Sequence, residues 1–190
     1  MKTNPHIVLG VTGSIAAYKA AELVRLMVKK EWDVSVIMTG AATRFVSELT
    51  FRTLSRRPVV VDMFEETDAW RPTHISLADL ADVLVIAPCT ANVMAKLAQG
   101  LADDALAATA LACAAPLVIA PAMNDKMWDH PATRENLRIL KSRKSVVVDV
   151  GQGDLACGCE GRGRMAPVEV ILAAVEKALK SKISTRYSAK

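Results

Sequence analysis

Four short apolar runs, each closed by a polar or proline-bearing turn and separated by helical patterning, constrain this chain more than any other feature. His6–Val11, Asp33–Met38, Val83–Ala87 and Leu117–Ala120 have the length and the Val, Ile and Leu content of strands buried on both faces. Between them, apolar residues recur at helical spacing. In Ile15–Glu31 the stripe is Ile15, Ala16, Leu23, Val24, Met27 and Val28, and in Ala41–Ser55 it is Phe45, Leu49 and Leu54. Ile75–Ala81, Ala91–Leu101 and Ala105–Ala114 are further helices, and Val59–Val61 and Ser145–Val150 further strands. Pro131–Ser142 and Pro167–Leu179 complete the set, Pro131 standing in a first turn where its missing N–H costs nothing. Parallel strands need long crossovers, and every crossover here is helical. The predicted fold is α/β: a doubly wound, flavodoxin/Rossmann-like three-layer sandwich around a mostly parallel sheet.

With 190 residues, 52% of them apolar, the chain can bury one sizeable core. No apolar run approaches the roughly 20 residues that span a bilayer. The start, MKTNPHIVLGVTG, lacks signal-peptide anatomy, so a cytoplasmic protein without membrane association is expected. The net charge of +4 comes from scattered residues and small clusters such as Lys29-Lys30 and Arg56-Arg57; these are solvated faces, and no nucleic-acid partner is expected. Cys89 and Cys113 sit in apolar surroundings as small core residues. Cys157 and Cys159 lack a second pair or nearby histidines, so no metal is expected. Asp62–Thr73 reads as a loop. Gly151–Ala166, with five glycines and no apolar periodicity, reads as a longer one, of a length usually functional or disordered.

In doubly wound sheets ligands bind beyond the carboxyl ends of the strands, so the turns there carry the chemistry. Thr12-Gly13-Ser14 leads a strand into a helix, a geometry that offers backbone N–H groups and a helix dipole to a phosphate. Neither G-x-G-x-x-G nor a Walker lysine motif is present, which argues against a dinucleotide enzyme or an ATPase. A mononucleotide such as FMN suits the single short turn; a plain N-cap at Ser14 suits it as well. Thr39 ends the second strand on the same edge. Pro88-Cys89-Thr90-Ala91-Asn92 repeats the arrangement, with Thr90 placed to cap a helix and Asn92 to bond a ligand ring. In Pro121–Trp128, Asn124 offers an amide at the rim and Met123, Met127 and Trp128 an apolar wall; the alternative is a turn with a capping Asn and core-facing Met and Trp. Of three histidines, His74 at a helix start is best placed for acid–base work, since His6 lies within a strand and His130 leads into Pro131. Cys157, between Ala156 and Gly158, can approach a ligand closely, and Arg162 and Arg164 can lower its thiol pKa.

Five of these stretches occur in order over about residues 6–180: GSIAAYK (Gly13–Lys19), HISLA at His74, APCTAN (Ala87–Asn92), PAMNDKMW (Pro121–Trp128) and ACGCEGRGRM (Ala156–Met165). Together they resemble the homo-oligomeric flavin-containing cysteine decarboxylases. The resemblance implies FMN as cofactor, touched by Gly13, Ser14, Ile15, Thr39, Thr90, Ala91 and Asn92. It implies His74 as base, Asn124 as the holder of the substrate carboxylate, Met127 and Ala156 as further substrate contacts, and Cys157 as proton donor. The members matched most fully convert 4′-phospho-N-pantothenoylcysteine to 4′-phosphopantetheine in coenzyme A biosynthesis. A cysteine amide has no electron sink for losing CO2. Oxidising its CH2–SH to a thioaldehyde makes one, and the resulting ene-thiol is then reduced, so the cycle has no net redox.

The resemblance also implies homotrimers, or a dodecamer built of trimers, with the flavin at a subunit interface. It makes 1–180 an FMN-binding decarboxylase domain and 181–190 a basic tail; such domains stand alone or form the N-terminal half of a bifunctional protein. Three alternatives stay open: a peptidyl-cysteine decarboxylase, a non-catalytic regulatory FMN-binding protein, and a flavin prenyltransferase. The last shares the N-terminal turn but lacks the PAMN and ACG pairing. Two departures stand out: Asp103-Asp104 replaces a common Asp-Asn, and Cys159 adds a second thiol near Cys157.

Overall fold

The computed structural model describes residues 4–64, 70–154, 158 and 160–188, with backbone alone for 154 and 182–188. Strands β1 (His6–Val11), β2 (Asp33–Met38), β3 (Val59–Val60), β4 (Val83–Cys89), β5 (Leu117–Pro121) and β6 (Val146–Val147) form one parallel sheet in the order β3-β2-β1-β4-β5-β6. Helices α1 (Ala17–Lys29), α2 (Glu48–Ser55), α3 (Thr73–Leu80), α4 (Ala91–Gln99), α5 (Ala105–Ala112), α6 (Asp125–Asp129), α7 (Pro131–Ser142) and α8 (Val168–Ser188) surround it.

Strand residues divide between two cores by parity, because successive side chains leave a strand on opposite faces. Ile7, Leu9, Val11, Val36, Val85 and Val118 pack with α1, α2 and α8. Val8, Ile37, Leu84, Ile86 and Ile119 pack with α3, α4, α5 and α7. With both faces covered, continuous apolar strands are what this sheet requires. From β1 the chain crosses through α1 on one face to β2. From β4 it crosses through α4 and α5 on the other face to β5. Since β1 and β4 are neighbours, their carboxyl ends diverge into a crevice, the topological switch point of the doubly wound fold. The expected fold class is the one observed.

Element details differ where a cap overrides periodicity. The first helix starts at Ala17, and Ile15 is 59% exposed instead of packing on the sheet. Ala41–Ser55 splits into a 3-10 turn, Ala42–Arg44, and α2, because Ser47 Oγ accepts the Leu49 N–H at 3.2 Å and restarts the helix. Phe45 and Leu49 therefore face outward, and Phe51 is the buried residue; Leu54 packs inward as expected. Ser145–Val150 contracts to the two residues of β6. Gly151–Ala166 is not a structureless loop: β7 (Gly151–Asp154) and β8 (Glu160–Arg164) pair as an antiparallel hairpin. Its period of two is carried by Gly151, Gly153, Gly161 and Gly163, so a search for apolar alternation passes over it. The last helix runs to Ser188, through part of the expected tail. No helix among the described residues is long and apolar enough to cross a membrane.

Cys89 is fully buried, which pushes its thiol up to about 12, and Cys113 is half-buried, as their surroundings predict. At the amino edge of the sheet, His6 Nε2 and Ser35 Oγ lie 2.9 Å apart, and the His6 N–H donates to Asp82 Oδ2 at 3.1 Å. Burial, then the Arg57 charge, hold the His6 pKa below 6.5, against the opposing pull of Asp33 and Asp82. Below pH 6.5 the unfolded chain therefore binds a proton that the folded protein resists, so stability falls as pH drops through that range. The slope is at most about 1.4 kcal/mol per pH unit for one proton. Urea unfolding at pH 7.5 and 5.5 should show this loss in the parent protein and a smaller one in His6→Gln; equal losses in both would reject the assignment.

Candidate functional site

Hydrogen bonds stitch the carboxyl edge together strand by strand. The Thr39 N–H, just past β2, donates to Val11 O at 3.0 Å. Thr12, fully buried at the end of β1, donates its hydroxyl to Pro88 O at 2.8 Å and accepts the Thr90 N–H at 3.1 Å. The Ala122 N–H, past β5, donates to Cys89 O, and the Met123 N–H to Gly163 O on the hairpin, each at 3.0 Å. The Gly13 turn, the Thr39 turn, the Thr90 turn, the Asn124 turn and the hairpin are thus one connected rim. Thr12, a lone hydroxyl beside a glycine, carries no sequence motif, and its role rests on a partner 76 residues away.

Gly13 is held where a Cβ would lie 2.5 Å from Ala41 Cβ and 3.1 Å from its carbonyl carbon, so only glycine lets the first turn sit this close. Ser14 Oγ accepts the Ala16 N–H at 3.2 Å, which closes a local turn ahead of α1 and is not the expected cap, since the N-cap residue is Ala16 and no side chain caps it; the other lone pair and the proton of Ser14 are left for a ligand. Thr90 Oγ1 accepts the Val93 N–H at 3.4 Å and caps α4 as expected; Ala91 behind it is half-buried and Asn92 exposed. Thr39 Oγ1 is buried yet has no hydrogen-bond partner among the described residues.

Asn124 Oδ1 accepts the Lys126 N–H at 3.0 Å and starts the short helix α6, so the capping Asn of the alternative reading is observed, within a helix and not a plain turn. Met127, 49% exposed, stands at the rim as expected. Trp128 does not: its ring is buried in the core against α7, with the Arg134 guanidinium 4.6 Å over its face. Of the expected apolar wall, Met123 and Met127 remain.

His74 is the second residue of α3, after the Pro72 turn and the Arg71–Asp79 ion pair that straps it. Its Nδ1 is buried with no partner among the described residues. An unpartnered buried nitrogen is costly, about 1–3 kcal/mol, and marks a group kept for something other than stability. Cys157, Ala156 and Cys159 lie outside the described residues; the hairpin strands that flank them are docked at Met123. Asp104, one of the two departures, caps α5 through the Ala107 N–H at 2.8 Å and takes Lys96 Nζ at 2.7 Å, with Asp103 on the same ammonium. A cavity of about 660 Å³ lies between Leu97, Leu111, Leu117 and Val146, with Lys96 in its lining; none of the predicted site residues lines it.

The model of the Flavoprotein family matches residues 1–180. A coenzyme A biosynthesis bifunctional protein CoaBC from Bacillus subtilis is 46% identical over 177 residues, which cover 93% of this chain and 44% of that protein. This chain therefore spans less than half the length of that relative. A probable phosphopantothenoylcysteine decarboxylase from Streptococcus mutans is 41% identical over 175 residues, 91% of this chain and 98% of that one. Among solved structures, a mutant PPC decarboxylase complexed with pantothenoylaminoethenethiol superposes with a TM-score of 0.82 at 31% identity, covering 91% of this chain and 97% of the other. The FMN-dependent cysteine decarboxylase SpaF gives 0.81 at 28%, covering 95% and 98%.

Proposed function

This chain belongs to the Flavoprotein family, and on that footing we propose that it binds FMN and decarboxylates 4′-phospho-N-pantothenoylcysteine to 4′-phosphopantetheine. The observation that carries the reading is a pair of buried polar atoms without a hydrogen-bond partner among the described residues, Thr39 Oγ1 just past β2 and His74 Nδ1 in the first turn of α3. The residues there fit a flavin mononucleotide. The close Gly13 turn admits a phosphate to the start of α1, and Thr39, Thr90 and Asn92 supply hydroxyl and amide groups for a ring. When bound, FMN supplies the oxidation that makes a carbanion-stabilising thiocarbonyl, and the matching reduction.

The chain's own residues divide the remaining work. His74 takes a proton from the reacting cysteine through an imidazole nitrogen. Asn124, fixed by its cap bond to Lys126, holds the carboxylate by its amide while the Met123 and Met127 side chains exclude water. Cys157 returns a proton to the ene-thiol. We place the protein in the cytoplasm as a homotrimer or a dodecamer built of trimers. Ile15, Tyr18, Phe45 and Leu49, each at least 50% exposed beside the Gly13 turn, are the apolar surface a second copy would cover.

Thr12 underlies the FMN reading, since its hydroxyl spaces the first and third turns. Thr12→Val leaves Pro88 O and Thr90 N–H unpaired and is expected to weaken FMN binding at least tenfold, about 1.4 kcal/mol, with Thr12→Ser restoring it. Fluorescence titration of FMN reads this directly; unchanged affinity in Thr12→Val would separate the bridge from the cofactor.

The reading itself is tested by the absorbance spectrum of the purified protein, followed by mixing with synthetic substrate. Flavin absorbance with CO2 release is the expected result. A yellow protein inert to this substrate but active on cysteine-ending peptides would move it to the peptidyl class. A protein unable to take up FMN would end the proposal.

A further inference from the structure

Asn124 stands at the head of a helix too short to hold itself. α6 has five residues, and its one turn is closed by the Trp128 N–H donating to Asn124 O at 2.9 Å. A single turn fixes several dihedral angles for one hydrogen bond and does not persist alone in water. Upstream of Asn124, the Met123 N–H is tied to Gly163 O on the hairpin. Downstream the hold comes from α7, which is well seated. It has twelve residues, and Leu137 and Leu140 are buried in the core that contains Val93 and Met94 of α4.

One side chain of α7 grips the end of α6 at two points. Arg134, the fourth residue of α7, lays its guanidinium over the Trp128 ring, 4.6 Å from the centroid, and donates from Nη2 to Asp129 Oδ1. Trp128 is 1% exposed, and its Nε1 has no hydrogen-bond partner among the described residues. Within those residues the indole is therefore set by apolar packing and by the cation over its face. The two contacts are unequal. The Asp129 carboxylate is 64% exposed, and an ion pair of that kind contributes little, whereas a cation over a buried ring contributes more.

Resting on the function proposed above, in which Asn124 holds the substrate carboxylate, we infer that Arg134 is a positioning residue. By pinning Trp128 and Asp129 to α7 it keeps α6 closed. Through the bond from the Lys126 N–H to Asn124 Oδ1 at 3.0 Å, the closed helix sets where the Asn124 amide stands. Arg134 acts through Asn124 and not on the reacting atoms.

The test pairs hydrogen exchange in peptides spanning α6 with steady-state kinetics, in the FMN-loaded parent, Arg134→Ala, Arg134→Lys and Asp129→Asn. Arg134→Ala should exchange α6 about tenfold faster and raise KM about tenfold, with kcat within about threefold and FMN affinity unchanged. Arg134→Lys keeps a cation above the ring and should largely restore both. Asp129→Asn leaves the guanidinium in place and should change either by less than about threefold. In an Asn124→Ala background, Arg134→Ala should raise KM no further, because the group it positions is gone. A merely structural arginine would lower the melting temperature and leave KM alone. Unchanged exchange in α6, or faster exchange with unchanged KM, would overturn the inference. Faster exchange in Arg134→Ala, with a parent that turns over no phosphopantothenoylcysteine, would sink the proposed reaction and leave the hold on Asn124 standing.

Discussion

Gly163→Ala is expected to lower kcat/KM about 100-fold while leaving the central sheet folded, because it strikes where the hairpin meets the rim. At φ +144 Gly163 occupies backbone space that L side chains rarely adopt, and its Cβ would fall 2.2 Å from Met123 O and 3.3 Å from the Asn124 carbonyl carbon. Those are backbone atoms of the turn that positions Asn124, so neither side can rotate away. Either the hairpin lifts, breaking the bond from Met123, or the Asn124 turn shifts; both displace a proposed catalytic group by about 1 Å. Gly153→Ala provides the control. It has the same φ of +144, but its nearest neighbour is the mobile Nη1 of Arg164 at 3.4 Å, so it suffers the backbone strain of about 1–3 kcal/mol without the collision. Steady-state kinetics with thermal melts of both variants separate the effects. Equal activity in the two would show that backbone strain, and not docking, is what the enzyme feels.

The doubly wound sheet was legible because its strands are buried on both faces and its helices on one. Runs such as His6–Val11 then differ from stripes such as Leu23, Val24 and Met27 without any tertiary knowledge. Features decided by a single side chain against a distant backbone were less legible. Phe51 displaced Phe45 from the core because Ser47 restarted the helix, a local cap that apolar spacing cannot register. Its place after Asn124 in the chain leaves Trp128 open to two readings, site wall or core-facing residue. The five-residue helix that Asn124 caps turns the indole toward α7. The hairpin escaped notice because its alternating residues are glycines, which satisfy backbone geometry and bury nothing. Polar groups at strand ends were legible as candidates, since each must cap a helix or meet a ligand. Only the three-dimensional partners tell which: Thr90 caps, whereas Thr39 Oγ1 and His74 Nδ1 have no partner among the described residues.

That last contrast gives His74 an unusual pair of expected outcomes. His74→Asn keeps a polar group near the position of Nδ1 but removes the base, so decarboxylation should fall by about 10²–10⁴. FMN absorbance should be unchanged, since the turns that hold it are on β1, β2 and β4. His74→Leu should lose the same activity, yet melt no lower than the parent. It removes a buried nitrogen that has no partner among the described residues, and leucine is the better helix former at the second position of α3. A structural histidine would behave in the opposite way, losing stability first and activity only in proportion. The decisive comparison is therefore single-turnover CO2 release against melting temperature in the same preparations. Activity within about threefold of the parent in both variants would remove His74 from the chemistry. A large loss at constant or raised stability would mean that the fold tolerates an unpaired buried nitrogen because the reaction needs it there.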